Sequence, residues 1–396
     1  MGLTALTAVT GLVAGCSRSG DTGSRSGDGR TTSAGPGSPA SPGSPSSQDT
    51  ATTVTGTAVH PGTGSGTADA ATSPPASAAT PAGTSASEPA GGTVPQAAAP
   101  WQQNAGRIAG QVLTAAAESQ AGTGRATESA RETAFTGTAL RAARAEASLA
   151  GVAGIAPQLR LGPPAVSGAP PPVLAVSAGQ GYPRVIVVEA RPRGSLYPVL
   201  YLLSTPRAGT AHRIAWSATV LPSAKIHRFA APPGGAPMLP SGAGLSTGIG
   251  ALIGAYAKGL SYPVTKVTNP PYRAGDRFAA QLDENAALEA GLIKAQASFT
   301  QQHRQVTGST FTIGQVDGGA LVFSVLERTD AFAVRPAQKL APSPKLLAFE
   351  PKLTAVTSTA RLTTLEFLVF QVPAKGSQDR AELVAASEHL VAGSGR

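Results

Sequence analysis

The stretch Thr310-Phe-Thr-Ile-Gly-Gln-Val-Asp-Gly-Gly-Ala-Leu-Val-Phe-Ser-Val-Leu326 contains two β-rich segments around a turn. The first segment alternates apolar and polar residues, as a strand with one buried face does. Asp317-Gly-Gly319 is a strong hairpin turn, and the apolar segment after it can pair with the first. The stretch therefore predicts an antiparallel hairpin, and with it a sheet in the C-terminal part of the chain.

Further strands are predicted after the hairpin, and helices before it. The predicted strands are Phe332-Ala-Val334, Leu346 to Val356, Leu365 to Val372 and Leu383-Val-Ala385. A short helix is predicted from Ile249 to Lys258 and a longer one from Asp276 to Gln305. In the longer helix Leu288, Leu292, Ala295 and Phe299 step by four, three and four, which places them on one face. Residues 249–392 are thus expected to form an α+β unit.

Residues 101–235 repeat the same order of elements. Ala-rich helices are predicted around Ile108 to Glu118 and from Arg125 to Ala150, with a break at Gly122 and Gly124. Four β-rich runs then begin at Val173, Val185, Val199 and Ile214. Their short spacing leaves no room for crossover helices, so this sheet is expected to be antiparallel.

The predicted fold class is α+β, with two tandem units joined by a linker at 236–248. A long helix on a strongly curved antiparallel sheet is the plan of NTF2-like (cystatin-like) cone folds. By this analogy of element order, we expect two tandem NTF2-like units, 101–235 and 249–392.

The beginning of the chain predicts a lipid anchor. An apolar run ends in Val13-Ala-Gly-Cys16, which contains the only cysteine and matches a bacterial lipobox. Residues 1–16 are therefore interpreted as a lipoprotein signal peptide, with Cys16 as the lipidated residue. No Lys or Arg precedes the apolar run, which departs from the usual leader. Residues 17–100 are rich in Ser, Gly, Thr, Ala and Pro, and predict a disordered tether of roughly 50 Å mean extension.

Charge is sparse and uneven along the chain. Charged residues make up 13% of the sequence, for a net charge of +9. Residues 160–230 contain one acid, Glu189, and eight basic residues: Arg160, Arg184, Arg191, Arg193, Arg207, Arg213, Lys225 and Arg228. A basic face of this kind could meet anionic headgroups or anionic envelope polymers, or its turn arginines could simply keep the protein soluble. No interleaved aromatic pattern indicates nucleic-acid binding.

The motifs that could carry chemistry are weak. Gly244-Leu-Ser246-Thr-Gly248 matches the G-x-S-x-G pattern of a nucleophile elbow, but no strand is predicted before it. Ser246 and Thr247 are better interpreted as caps of the helix that follows. Asp283 and Glu284 point in different directions on a helix and form no acid–base pair.

The histidines do not predict a metal site. His60, His212, His227, His303 and His389 are scattered, without metal-ligand spacing. His303, near the end of the predicted long helix, could favour the helix dipole. No catalytic residue, metal or cofactor is therefore predicted.

Five short motifs, taken in order, resemble an uncharacterised lipoprotein family of actinobacteria, which is known only as a domain of unknown function. They are Phe135-Thr-Gly-Thr-Ala-Leu, Gly181-Tyr-Pro-Arg, Ile214-Ala-Trp-Ser-Ala, Phe299-Thr-Gln-Gln-His and Asp317-Gly-Gly-Ala-Leu-Val-Phe. The resemblance covers about residues 130–392 and implies no activity.

The sequence thus predicts a lipoprotein anchored to the extracytoplasmic face of the cell membrane. We expect a non-catalytic binding or scaffolding role in the cell envelope, with an anionic polymer or a protein as partner and no nucleic acid. Two alternatives stay open: a serine hydrolase that uses Ser246, and a basic adhesin that binds anionic envelope polymers.

Overall fold

The computed structural model describes residues 100–120, 125–150, 152, 170–179, 181–192, 195–231 and 234–396. Its strands are β1 (Val173–Val176), β2 (Arg184–Ala190), β3 (Val199–Thr205), β4 (Arg213–Val220), β5 (Ala297–Gln305), β6 (Phe311–Gly314), β7 (Ala320–Val334), β8 (Thr359–Val372) and β9 (Glu382–Gly395). Its helices are α1 (Pro100–Gln103), α2 (Ala105–Gln120), α3 (Arg125–Ala134), α4 (Gly137–Leu149), α5 (Ile249–Gly259), α6 (Arg277–Ile293) and α7 (Pro344–Leu347).

The predicted hairpin is confirmed as β6 and β7, which pair from Phe311 opposite Phe323 to Gly314 opposite Ala320. At the turn, Asp317 Oδ1 accepts a hydrogen bond of 3.0 Å from the Gly319 backbone N–H. Gly318 has φ of +80°, a conformation that other residues seldom adopt. The Asp317-Gly-Gly319 sequence and the apolar pattern around it were therefore sufficient to predict this hairpin.

The nine strands of the described residues form one antiparallel sheet rather than two. Its order is β1-β2-β3-β4-β9-β8-β7-β5, and β6 pairs with β7 off this path. Strand β4 joins β9 through Thr219 opposite Ala386 and Val220 opposite Ala385. The expectation of two tandem NTF2-like units is therefore wrong. The order of elements along the chain does not show that β9 inserts between β4 and β8.

Because β4 pairs with β9, the strands before and after the 236–248 interval share one hydrophobic core. The Trp216 side chain on β4 is fully buried, with its ring centroid 5.0 Å from that of Phe323 and 6.1 Å from that of Phe367, both edge-on. Its indole Nε1–H donates a 3.2 Å hydrogen bond to the Ser324 carbonyl on β7. The same apolar cluster contains residues of β2 and β3. Strands on both sides of the 236–248 interval thus bury their side chains together.

The N-terminal helices agree with the sequence pattern, with one additional break. Helix α2 lies where the first helix was predicted; residues 121–124 are outside the described ranges. The stretch predicted as one helix from Arg125 to Ala150 is divided into α3 and α4. Between them Phe135 forms a bridge to Ile214 of β4, and the Thr136 N–H bonds to the Ile214 carbonyl. Helix α4 then packs across β4 and β9.

The long helix predicted over 276–305 is wrong in its second half. Helix α6 ends at Ile293 and is followed by strand β5. Leu288 and Leu292, which were predicted to share one apolar face with Phe299, are 52% and 65% exposed. Residues 297–302 alternate strictly between buried and exposed, and the pairing of β5 with β7 overrides any helical tendency there. Phe299 is buried from the strand rather than from a helix.

The strand predicted from Leu346 to Val356 is also wrong. This segment begins within the single turn of α7 and continues in turns. Ser343 caps that turn through a hydrogen bond from the Leu346 N–H to its hydroxyl. Leu346 and Val356 are nevertheless buried, so the apolar pattern reflects core packing without a strand.

Candidate functional site

Ser387, His389 and Glu146 form a chain of short polar contacts inside the fold. Ser387 and His389 lie two residues apart on β9 and therefore share a face of the sheet. His389 Nε2 is 3.0 Å from Ser387 Oγ, and His389 Nδ1 is 2.6 Å from Glu146 Oε1 on α4. The residue types, order and distances are those of a serine–histidine–carboxylate triad.

The hydrogen bonds of Ser387 do not match the role of a nucleophile. Its Oγ also lies 3.1 Å from the Ser217 carbonyl oxygen, which can only accept. Because a hydroxyl carries one hydrogen, Ser387 donates it to Ser217 and accepts from His389. In a catalytic triad the serine hydrogen points instead at the histidine.

The surroundings of the triad-like chain also exclude a substrate. Ser387 is 6% exposed and His389 4% exposed, and the Phe367 ring packs edge-on to the imidazole at 5.1 Å. A groove of about 360 Å³ lies beside α4, and neither Ser387, His389 nor Glu146 lines it. Its lining residues are Gly137, Leu140, Arg141, Arg144, Ala145, Ser148 and Val391. The contacts of Ser387, His389 and Glu146 therefore hold α4, β4 and β9 together, and we call these three residues the clasp.

Tyr201 on β3 lies near this clasp. Its ring is 1% exposed, and burial, together with the negative charge of Glu146, raises the pKa of the Tyr201 phenol. Its hydroxyl has no hydrogen-bond partner among the described residues. The phenol is thus kept neutral and cannot serve as a base at neutral pH.

A second buried polar cluster lies on β5, β7, β8 and β9. Arg328 Nη1 is 3.1 Å from Glu366 Oε1 and also pairs with Glu388, while its Nε is 3.2 Å from Asp330 Oδ1. His303 Nε2 contacts the same Glu366 oxygen at 3.1 Å. The side chains of His303 and Glu366 have no exposed surface. This cluster links four adjacent strands, because the guanidinium joins β7, β8 and β9 and Glu366 joins β8 to β5.

The charges in this cluster depend on one another. Burial opposes the charged form of Arg328, but the carboxylates of Glu388, Asp330 and Glu366 outweigh it and raise the pKa of Arg328. Burial raises the pKa of Asp330, although the charge of Arg328 opposes the shift. The guanidinium is therefore permanently charged, and its removal would leave buried carboxylates without a counter-charge.

Ser246, the sequence-predicted nucleophile, lies apart from both clusters. It is exposed and follows turns rather than a strand, and its N–H bonds to the Pro373 carbonyl at 2.8 Å. The cap of α5 is Gly248, with no side-chain hydrogen bond, so the interpretation of Ser246 and Thr247 as caps is wrong. Within the described part of the chain, the Ser246 hydroxyl has no recorded hydrogen bond to a histidine.

The remaining predicted residues are dispersed. His303 lies on β5, so the helix-dipole interpretation is wrong, and His227 pairs with Asp317 beside the hairpin turn. Asp283 and Glu284 are exposed on α6. In the regions the structure describes, no group of three or more His, Cys, Asp or Glu side chains could hold a metal ion. The lipidation residue Cys16, the tether and His60 lie outside those regions.

The comparisons with known proteins leave the family open. No family model matches the chain, and neither a curated protein nor a solved structure matches it. The resemblance to actinobacterial lipoproteins therefore stays a prediction. Among the helices of the described regions, none combines the length and the apolar character needed to cross a bilayer.

Proposed function

We propose that this protein is a lipid-anchored, extracytoplasmic binding or scaffolding protein of the cell envelope, and that it is not an enzyme. The observation that carries the non-catalytic part is the Ser387 hydroxyl, which is buried and directed at the Ser217 carbonyl. The residues that resemble catalytic machinery hold α4 onto the sheet. The anchor is proposed from the lipobox at Cys16.

A fluorophosphonate probe tests the absence of catalysis. We expect the purified chain, Ser387→Ala and Ser246→Ala all to remain unlabelled, since Ser387 is buried and no histidine of the described residues bonds to the Ser246 hydroxyl. Stoichiometric labelling that either substitution abolishes would overturn the non-catalytic proposal and identify the nucleophile.

Growth with labelled palmitate tests the anchor. We expect label in the membrane-bound protein and none in Cys16→Ala, which should be released from the membrane fraction. Wild-type protein that is unlabelled, or that is recovered in the cytosol, would contradict the anchor. It would leave the assignment of Ser387 untouched, because the two experiments share no readout.

A further inference from the structure

Three arginines lie at one end of the β2–β3–β4 part of the sheet. Arg184 begins β2 and is paired in register with Thr205, the last residue of β3. Arg213 begins β4 and is paired with Ser204. Because Ser204 and Thr205 are neighbours on β3, the side chains of Arg213 and Arg184 leave opposite faces of the sheet. Adjacent strands are about 4.8 Å apart, so the two backbones lie roughly 10 Å from each other. Arg207 lies in the turn between β3 and β4. These three residues are called the arginine end.

The backbone and one side chain of the arginine end are held in place. The Arg207 carbonyl accepts hydrogen bonds from the hydroxyls of Thr205, at 3.2 Å, and Thr210, at 2.7 Å. The Arg184 guanidinium carbon lies 4.6 Å from the centroid of the Tyr182 ring, within the range of a cation–π contact. The turn that carries Arg207 is therefore partly pre-organised, which lowers the entropy cost of binding there.

The electrostatics of this end favour an anion. Burial and the charge of Arg184 lower the pKa of His212, which precedes Arg213, to about 4. Within residues 160–230 the only acid is Glu189, near the other end of β2 and paired in register with Leu200. Arg207 and Arg213 are exposed and form no ion pair with any residue that the structure describes. By contrast, Arg328 is surrounded by carboxylates.

We propose that the arginine end binds the phosphate groups of an anionic envelope polymer. Guanidinium groups match the oxygens of a phosphodiester with paired hydrogen bonds. Of the described residues at this end, Tyr182 has a large apolar side chain that is exposed, whereas the more exposed Leu196 lies in the loop at the opposite end of β2 and β3. A surface whose exposed aromatic ring is stacked with Arg184 and has no apolar cluster around it fits a hydrated polymer better than a bilayer. The inference rests on the proposed binding function and specifies its partner.

The test compares two double variants that change the net charge equally. Arg207→Glu with Arg213→Glu reverses charge at the arginine end. Arg191→Glu with Lys225→Glu reverses two exposed charges beyond the opposite ends of β2 and β4, about 20 Å away. The full-length chain is titrated with inorganic polyphosphate, with hyaluronate as a polyanion that carries carboxylates instead of phosphates. Phosphatidylglycerol vesicles form a third arm, and circular dichroism verifies the fold of each variant.

We expect polyphosphate to bind more tightly than hyaluronate, with an affinity that falls as salt rises. The Arg207/Arg213 variant should lose about tenfold or more in affinity, and its slope of log affinity against log salt should fall by about two. The Arg191/Lys225 variant should change less than about twofold. Equal losses in both variants, equal binding of both polymers, or binding to vesicles alone would overturn the proposal. None of these outcomes depends on whether Cys16 is lipidated.

Discussion

Trp216→Ala removes the side chain that connects the two halves of the sheet. A buried aromatic ring covers about 200 Å², which at about 25 cal/mol per Å² corresponds to about 5 kcal/mol as an upper bound. Comparable truncations in protein cores cost about 3–5 kcal/mol. We therefore expect the free energy of unfolding to fall by about 3–5 kcal/mol, a large fraction of the about 5–15 kcal/mol of a typical domain. Trp216→Phe should lose less, because it keeps a ring against Phe323 and loses mainly the bond to Ser324.

Urea unfolding followed by circular dichroism measures the loss, and amide hydrogen exchange locates it. Because Trp216 packs against both β7 and β8, protection should fall by a similar free energy in β3 and in β8. Leu196→Ala is the control; this side chain is 77% exposed, so the change should stay within about 0.5 kcal/mol. Two separate unfolding transitions, or β8 protection unchanged in Trp216→Ala, would refute the single shared core.

Three further predictions concern buried or capping charges. Arg328→Met should destabilise the protein by about 3–5 kcal/mol in urea, because Glu366 loses its cation, and adding Glu366→Gln should recover part of the loss. Burial, together with the charge of Arg184, lowers the pKa of His212 from its ordinary 6.5 to about 4, so stability should be full above pH of about 6.5 and fall progressively toward pH of about 4. His212→Asn should weaken that acid dependence, and an unchanged profile would contradict it. Asp276→Ala should cost about 1 kcal/mol by removing the cap of α6, whereas a loss below about 0.3 kcal/mol would contradict a capping role.

Local sequence patterns predict where the helices and strands of this protein lie better than they predict which strands pair with each other. The Asp317-Gly-Gly319 hairpin is fully encoded in a short stretch, and so are β1 to β4 and α2. The segment Asp276–Gln305 shows where local patterns fail to predict an element. Its second part, 297–305, forms a strand because it pairs with β7. The junction of β4 with β9 joins Thr219 to Ala386, and no local preference specifies such a distant pairing. The two-unit interpretation failed at this point.

The polar clusters were even less accessible to sequence reasoning. Glu146 and His389 meet across 243 residues, and neither lies in a motif. The spacing of Ser387 and His389 on a strand could have indicated a shared face, but it does not reveal Glu146. Arg184, Arg207 and Arg213 were recognised as part of a basic region, and only the strand register places them at one end.

The position of β9 has a consequence for biosynthesis. The last described strand to leave the ribosome is the one that both β4 and β8 pair with, so neither half can complete its hydrogen bonds until residues 382–395 have been made. A product that stops before Glu382 leaves the edges of β4 and β8 open, and exposed edges recruit other chains. Premature termination should therefore yield aggregates or protease substrates rather than a smaller folded protein.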